Sequence, residues 1–117
     1  MKQPTIKHLS KIQVEHAHGG SGSRQLIFSQ EDECSSPQLE AVTKGFLPKG
    51  GVFDWHHHKG LEEFLWVVSG VRRIEYKNDI QFDYSAGDFI YNPADLSHRI
   101  IITGEDDNVF FFVRVNA

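Results

Sequence analysis

The chain has 117 residues, a formal net charge of −4 and a sequence pI near 5.9. This length fits one domain with one core, and the acidic balance with scattered basic residues argues against nucleic acid as a partner. One cysteine excludes an intramolecular disulfide and favours a reducing compartment. Because we find neither a signal peptide nor an apolar run near the ~20 residues that cross a bilayer, we expect a cytoplasmic protein without membrane contact.

The N-terminal segment, residues 1–23, is polar and ends in a Gly/Ser-rich stretch, so we expect a loop or flap of uncertain order. It lacks the Gly-Lys-Ser/Thr ending of a phosphate-binding loop and predicts no nucleotide site. His16 and His18 are two residues apart but have no third partner nearby, which favours a surface loop over contact with a pocket. Cys34 lies among acidic residues, which raise a thiol pKa, so we interpret it as inert rather than reactive.

Short strand-like runs separated by turn residues fill the rest of the chain. They cover residues 25–29, 39–46, 52–57, 63–68, 71–77, 80–84, 88–91, 98–103 and 109–115. Many short strands at near-regular spacing predict an all-β sandwich or barrel. No segment carries a long helical period with caps, and no linker to a second domain is apparent, so we predict one domain over residues 1–117 with little helix.

Two of these runs, 63–68 and 109–115, are apolar on both faces. A strand that is apolar on both sides is usually covered on both sides. If one face of the strand points into the core, the other needs a cover. We therefore predict a homodimer with Phe64 and Trp66 at or near the contact, with cover by the N-terminal strands of the same chain as the alternative.

Four potential metal ligands, His56, His58, Glu63 and His98, fall where strands and turns can bring them together. His56 and His58 are two residues apart, so on a β-strand both side chains leave from one face. Glu63 follows a turn that contains Gly60, and His98 comes from a later strand. Three imidazoles and a carboxylate suit a divalent transition metal, which we predict inside the β-fold.

Strand parity separates the neighbouring residues from this set. His57 should point away from the site to solvent or an interface, and Glu62 has the wrong parity. Asp54 shares parity with His56, so it either accepts a hydrogen bond from a ligand imidazole or lies in water at the strand mouth. The remaining interior positions are apolar and predict a pocket for a small, partly apolar organic ligand; they are Leu65, Val67, Ile100 and Ile102.

The spacing of these residues also follows two motifs. The first consists of Gly50, His56, His58, Glu63 and Gly70, with five residues, one, four and six between successive members. The second consists of Gly87, Pro93, Asp95, His98 and Ile102. With both motifs, residues 45–103 resemble the cupin superfamily, although Asp95 replaces a glycine of its pattern and Ile102 replaces an asparagine.

The resemblance implies a double-stranded β-helix, a jelly-roll barrel, with the metal near one mouth. It also implies ligand roles for His56, His58, Glu63 and His98. The departure at Asp95 puts the local turn in question, although aspartate tolerates positive φ better than most residues. The departure at Ile102 should alter packing below the site and leave coordination unchanged.

The ligand set does not choose between Fe, Mn, Ni, Zn and Cu, nor between reactions. We expect one divalent metal per chain and a small organic ligand. One hypothesis is an enzyme, either a dioxygenase or a Lewis-acid isomerase or lyase; the alternative is a non-catalytic binding or sensing protein. A metal-free sugar isomerase or epimerase is disfavoured by the intact ligand set. No proton-transfer residue stands out, and no Gly-x-Ser-x-Gly motif indicates nucleophilic hydrolysis.

Overall fold

The computed structural model describes residues 3–16, 22–32, 36–101 and 106–117, and in these ranges the chain is built almost entirely from β-strands. One short 3₁₀ helix, Leu9–Lys11, is present among them. The strands are β1 Glu15–His16, β2 Ser23–Ser29, β3 Leu39–Leu47, β4 Val52–His56, β5 Leu61–Ser69, β6 Arg72–Tyr76, β7 Gln81–Tyr84, β8 Phe89–Asn92, β9 His98–Ile101 and β10 Asn108–Asn116. His18, Cys34 and Ile102 lie outside the described residues.

The strands form two antiparallel sheets that face each other. One sheet has six strands in the order β1-β2-β3-β10-β5-β8, and the other has four in the order β4-β9-β6-β7. From β4 to β10 the chain passes repeatedly from one sheet to the other, which confirms the predicted all-β, double-stranded β-helix. The two sheets are not hydrogen-bonded to each other at their edges in the described residues, so the expectation of a closed barrel is corrected to an open sandwich.

Alternating side chains build the core between the sheets. On β5 the inward residues Glu63, Leu65 and Val67 are buried, whereas Phe64 and Trp66 on the other face are exposed. From the facing sheet, β6 and β9 contribute buried apolar residues to the same cluster. This is the period-2 burial expected of a strand with one covered face. The core therefore lies directly beneath the residues predicted to form the site.

Each of the nine predicted strands is present, with ends that differ by at most two residues. The structure adds β1, which pairs with β2 through Glu15 opposite Arg24 and His16 opposite Ser23. His16 is thus an exposed residue of a short edge strand, where the sequence predicts a loop. A two-residue strand carries no periodicity of its own, so only its pairing partner reveals it.

The N-terminal residues before β1 are attached along β2. The Lys7 ammonium donates hydrogen bonds to the Ile27 carbonyl oxygen at 2.6 Å and to Asp32 Oδ1 at 2.7 Å. Gln25 Nε2 donates to two carbonyl oxygens of the 3₁₀ segment, at 2.8 and 3.0 Å. The described residues before β1, 3–14, therefore pack at the β1–β2 edge of the six-stranded sheet, far from β8 in the strand order.

Candidate metal centre

The structure brings together all four predicted ligands, His56, His58, Glu63 and His98. His56 ends β4 and His98 begins β9, where the two residues pair across the strands; their ring centroids are 4.4 Å apart. Glu63, on the facing sheet, lies close to the imidazoles of His58 and His98. Its Oε2 lies 3.5 Å from His58 Nε2, and its Oε1 lies 3.7 Å from His98 Nε2.

A β-bulge sets the orientation of His56. Phe53 pairs with Ile100 and His56 pairs with His98, so three residues along β4 match two along β9. The extra residue turns both Phe53 and His56 toward the interior, although they are three residues apart. His56 and His58 therefore do not share a strand face as predicted: β4 ends at His56, and His58 reaches the site from the following turn.

The turn that carries His58 is held by Asp95. The Asp95 backbone N–H donates to the His58 carbonyl oxygen at 3.3 Å, and Asp95 Oδ1 accepts from the Gly60 N–H at 3.0 Å. Asp95 has a positive φ of 67°, the conformation its glycine counterpart in the motif would favour. The expectation that aspartate tolerates this turn is confirmed, and its carboxylate adds an anchor that glycine lacks.

The backbone of Asp54 fixes the tautomer of His56. His56 Nδ1 lies 2.7 Å from the Asp54 carbonyl oxygen, which can only accept, so Nδ1 carries the proton. The lone pair is then on Nε2, as metal ligation requires. The Asp54 carboxylate accepts a hydrogen bond from the Trp55 N–H at 2.8 Å, and the residue is exposed. Of our two expectations for this side chain, the position in water is therefore the one found.

A buried hydrogen-bonded chain orients the Glu63 carboxylate. Asn92 Nδ2 donates to Glu63 Oε1 at 3.0 Å, and Tyr76 OH donates to Asn92 Oδ1. All three residues are buried. Asn92 pairs with Glu63 across β8 and β5. Sequence reasoning assigns Asn92 to the turn before Pro93; its shared parity with the buried Ile90 is the signal that could have found it.

Burial controls the protonation of the imidazoles. It lowers the pKa of His98 to about 3, and the charge of His56 acts in the same direction. Burial, with the charge of Arg114 as the next cause, lowers the pKa of His58 to about 4. Both rings are therefore neutral near pH 7, as metal ligands must be.

Burial also raises the pKa of Glu63, against the hydrogen bond from Asn92 and the charge of Arg114, which both favour the carboxylate. A buried carboxylate beside neutral imidazoles is costly unless a cation accompanies it.

The four side chains face a cavity of about 320 Å³ between the two sheets. Leu65 and Ile100, predicted to share this interior, line it together with Phe53 and Phe112. Val67 is fully buried in the core. The wall is therefore largely apolar around one polar pole, as the sequence predicted, and its volume suits a small organic molecule.

Comparison with known proteins identifies the family. A model of the Cupin domain matches residues 45–114, which is more than half of the chain. The chain belongs to the cupin family. No curated protein matches this cupin.

Solved structures share the fold of this cupin over nearly its full length. A predicted oxalate decarboxylase from Thermotoga maritima is 22% identical, covers 97% of this chain and 100% of its own, and has a TM-score of 0.79. The polyketide cyclase RemF from Streptomyces resistomycificus is 14% identical with a TM-score of 0.80, over 97% of this chain and 80% of its own. DMSP lyase DddQ from Ruegeria pomeroyi is 16% identical with a TM-score of 0.73, over 92% of this chain and 57% of its own.

The donor types of this set, three imidazoles and one carboxylate, suit a divalent cation. Two ligand atoms about 2.1 Å from one ion are about 3.0 Å apart at right angles and about 3.4 Å apart at the tetrahedral angle. The two nitrogen–oxygen separations at Glu63, 3.5 and 3.7 Å, are slightly longer than these values. As the side chains stand, no group of three or more His, Cys, Asp or Glu in the described ranges has a complete metal-binding geometry.

The residues that parity excluded lie at the edge of the site or outside it. Glu62 points to the outer face, where its Oε2 accepts from Tyr91 OH at 2.7 Å. His57 is exposed, as expected, but it also lines the cavity, and its Nδ1 lies 3.3 Å from Ser97 Oγ.

None of the helical residues described for this cupin forms a segment long and apolar enough to cross a membrane.

Two further cavity residues, Arg24 and Arg114, were missed by sequence reasoning. Arg24 lies one position before the strand we predicted at residue 25. Arg114 lies within a predicted strand and alternates with Phe112, yet nothing local distinguishes it from a surface arginine. Only the pairing of β10 with β5 places it opposite Glu63.

Proposed function

We propose that this cupin is a metal-dependent enzyme that acts on a small organic molecule. One divalent transition metal, Fe, Mn, Ni, Zn or Cu, would be held by His56, His58, Glu63 and His98. The observation that carries the proposal is the convergence of these four side chains, with the neutral imidazoles of His58 and His98 and a buried carboxylate, on one largely apolar cavity.

The metal would supply either dioxygen chemistry, if it is Fe(II), or Lewis-acid polarisation of a substrate oxygen in an isomerase or lyase. The chain supplies the surroundings. Leu65, Ile100 and Phe112 exclude water from the cavity wall, and Asn92 holds the Glu63 carboxylate in place. His57, exposed at the cavity, is positioned to accept or donate a proton.

Relatives in fold support enzymatic chemistry without selecting a reaction. Their names include a predicted oxalate decarboxylase, a polyketide cyclase and a DMSP lyase. These reactions are different, so they favour a cupin enzyme but leave its substrate to the residues of this chain.

The second candidate is a non-catalytic cupin whose metal is structural or anchors a bound molecule. One observation favours it: apart from the four ligands and two arginines, His57 is the one titratable side chain lining the cavity among the described residues. Acid–base chemistry beyond the metal would therefore depend on a single exposed imidazole.

Turnover by the metal-loaded protein separates the two candidates. Protein loaded separately with Fe(II), Mn, Ni, Zn or Cu is incubated with diketones, catechols, flavonols and small organic acids, with oxygen consumption and product formation measured. Activity with one metal, lost in His98→Ala, is the expected result. If the protein binds metal but shows no turnover with any metal and substrate, the enzyme proposal fails and the non-catalytic binding function is favoured.

We also propose that two copies associate through an aromatic outer face, formed by Phe64, Trp66, Phe89, Tyr91 and Phe111 on β5, β8 and β10. Trp66 stacks between Phe89 and Phe111, with ring centroids 6.1 and 5.9 Å away, so the patch is continuous. Contiguous exposed apolar surface usually marks an interaction site. The described N-terminal strand β1 lies at the opposite edge of the sheet, which favours a second copy over cover by the same chain.

A further inference from the structure

Two arginines share the cavity with the histidines. Arg114, on β10, is paired with Glu63 of β5 in the strand register. Arg24, on β2, is paired with Gly45 of β3. Both side chains line the cavity, and Thr43 of β3 lies on the wall between these two strands. One end of the cavity therefore carries potential metal ligands, while the wall formed by β2, β3 and β10 carries two permanent cations.

Each guanidinium lies beside a carboxylate. Arg24 Nε donates a hydrogen bond to Glu15 Oε1 at 3.0 Å, whereas Arg114 Nε forms an ion pair with Glu40 Oε2 at 3.0 Å without hydrogen-bond geometry. Both contacts involve Nε, whereas a guanidinium has four more N–H donors on its two Nη atoms. A pair of Nη donors matches the two oxygens of another carboxylate. The ion pairs therefore orient the arginines and remain compatible with binding of a second anion.

The rest of the wall limits what can accompany that anion. Phe53, Phe112 and Leu65 form the apolar part, and Ser23 and Thr43 supply hydroxyl groups. Gly45 lets the Phe112 ring pack closely against β3, because a Cβ at this position would lie 2.5 Å from Phe112 Cε2. A volume of about 320 Å³ is at the small end for ligand pockets, which argues against a nucleotide-sized molecule.

We propose that the ligand class of this cavity is small organic acids, with the ligand carboxylate bound by Arg24 and Arg114 and its apolar portion against Phe53 and Phe112. This inference rests on the proposed function and deepens it, since it names the substrate class of the same site. Arg114, which is less exposed and lies opposite Glu63, brings the carboxylate near the metal ligands. Arg24, the more exposed of the two, adds the second cation.

Titration calorimetry with matched acids and amides tests the inference. The probes are propanoate, benzoate, 3-phenylpropanoate and succinate, each compared with its neutral amide, on the protein as isolated and after chelator treatment. For at least one pair we expect the acid to bind about tenfold more tightly than the amide, as expected for hydrogen bonds to a charged group. Equal binding of every acid and its amide would overturn the inference.

Three variants assign the effect to the arginines. Arg24→Gln and Arg114→Gln should each weaken acid binding by about tenfold and leave amide binding unchanged. Arg73→Gln is the matched control, because Arg73 Nε also pairs with one carboxylate, Asp83 at 2.9 Å, but lies outside the cavity. An equal loss in Arg73→Gln would contradict a local role for the cavity arginines.

Two further variants keep the test independent of folding and of the metal. Glu15→Gln, which removes the carboxylate beside Arg24, should tighten acid binding, whereas simple damage to the site would weaken it. Arg114→Lys should retain part of the acid preference if Arg114→Gln fails to fold. If the acid preference persists in chelator-treated protein that never bound metal, the metal proposal fails and the organic-acid inference stands. If the protein binds metal but shows no acid preference, the organic-acid inference fails and the metal proposal stands.

Discussion

Both faces of β5 are largely apolar in sequence, but they have different surroundings. On the inner face Glu63, Leu65 and Val67 are 4%, 1% and 0% exposed, whereas Phe64, Trp66 and Val68 on the outer face are 47%, 45% and 38% exposed. The four-stranded sheet covers the inner face, and no described residues cover the outer one to the same extent. Hydrophobicity alone therefore does not tell which face of the strand is functional.

The unusual residue of each face is more informative than its apolar average. On the inner face the unusual residue is Glu63, a buried carboxylate that needs compensation and lies beside two neutral imidazoles. The unusual feature of the outer face is a row of large exposed aromatic side chains, which need cover. We therefore propose a small ligand for the inner face and a second copy of the chain for the outer one.

Truncation of a side chain on each face should give the largest contrast. Leu65→Ala leaves a cavity in the core and should lower the free energy of unfolding by about 2–5 kcal/mol. Val68→Ala, on the outer face of the same strand, should cost less than about 1 kcal/mol in the isolated chain. Urea denaturation of both variants measures the difference, and similar losses would mean that the outer face is packed as the inner one is.

Removal of the Asn92 amide should come next in size. Asn92→Ala leaves Glu63 Oε1 and Tyr76 OH without their partner, at a cost of about 1–3 kcal/mol in stability. It should also raise the pKa of Glu63 further, since that hydrogen bond favours the charged form. Denaturation measures the first effect, and carboxyl ¹³C NMR titration of metal-free protein measures the second. An unchanged Glu63 titration would show that Asn92 does not act on the Glu63 carboxylate.

Loss of Trp66 should weaken self-association without unfolding the chain. A large aromatic at the centre of an interface is often a hot spot, so Trp66→Ala should raise the dimer dissociation constant by about tenfold or more. Trp55→Ala is the control, because Trp55 lies on the other sheet beneath Lys77 and Arg99. Sedimentation or light scattering reports the result, and a wild-type monomer at micromolar concentration would exclude the dimer.

The smallest effect is expected at the N-terminal edge. The hydrogen bond from Lys7, followed by that from the Ser29 N–H, holds the pKa of Asp32 below its usual 3.8. Because the folded-state pKa is depressed, its contribution to stability is present at neutral pH and is lost as pH falls below 3.8. Asp32→Asn should therefore melt slightly lower than wild type at pH 7, with the gap narrowing in acid. A gap independent of pH would assign the effect to something other than this charge.

Sequence predicted the strands well because their signal is local. Alternation and turn residues located nine strands, and motif spacing located four residues that the structure brings together. The bulge between Phe53 and His56 was not predictable, since it consists of a mismatch in pairing between β4 and β9. Strand parity therefore gave the wrong origin for His58 and left the position of Asp54 undecided.

Residues that depend on long-range register were also missed. Asn92 and Arg114 both pair with Glu63 because their strands, β8 and β10, flank β5 in the sheet. The spacing of residues along the sequence does not encode this strand order. Arg24 enters the cavity for the same reason, through β2 beside β3. The four clustered residues could be predicted from spacing, whereas the side chains around them, Asn92, Arg24 and Arg114, could be placed only with the fold.

Metal content is the most direct test of the central claim. Plasma mass spectrometry of protein purified without a histidine tag should find close to one divalent transition metal per chain. His56→Ala and His98→Ala should lose most of it, while His57→Ala, which changes a cavity imidazole outside the ligand set, should keep it. A wild-type chain that contains no metal and takes up none of Fe, Mn, Ni, Cu or Zn would contradict the account.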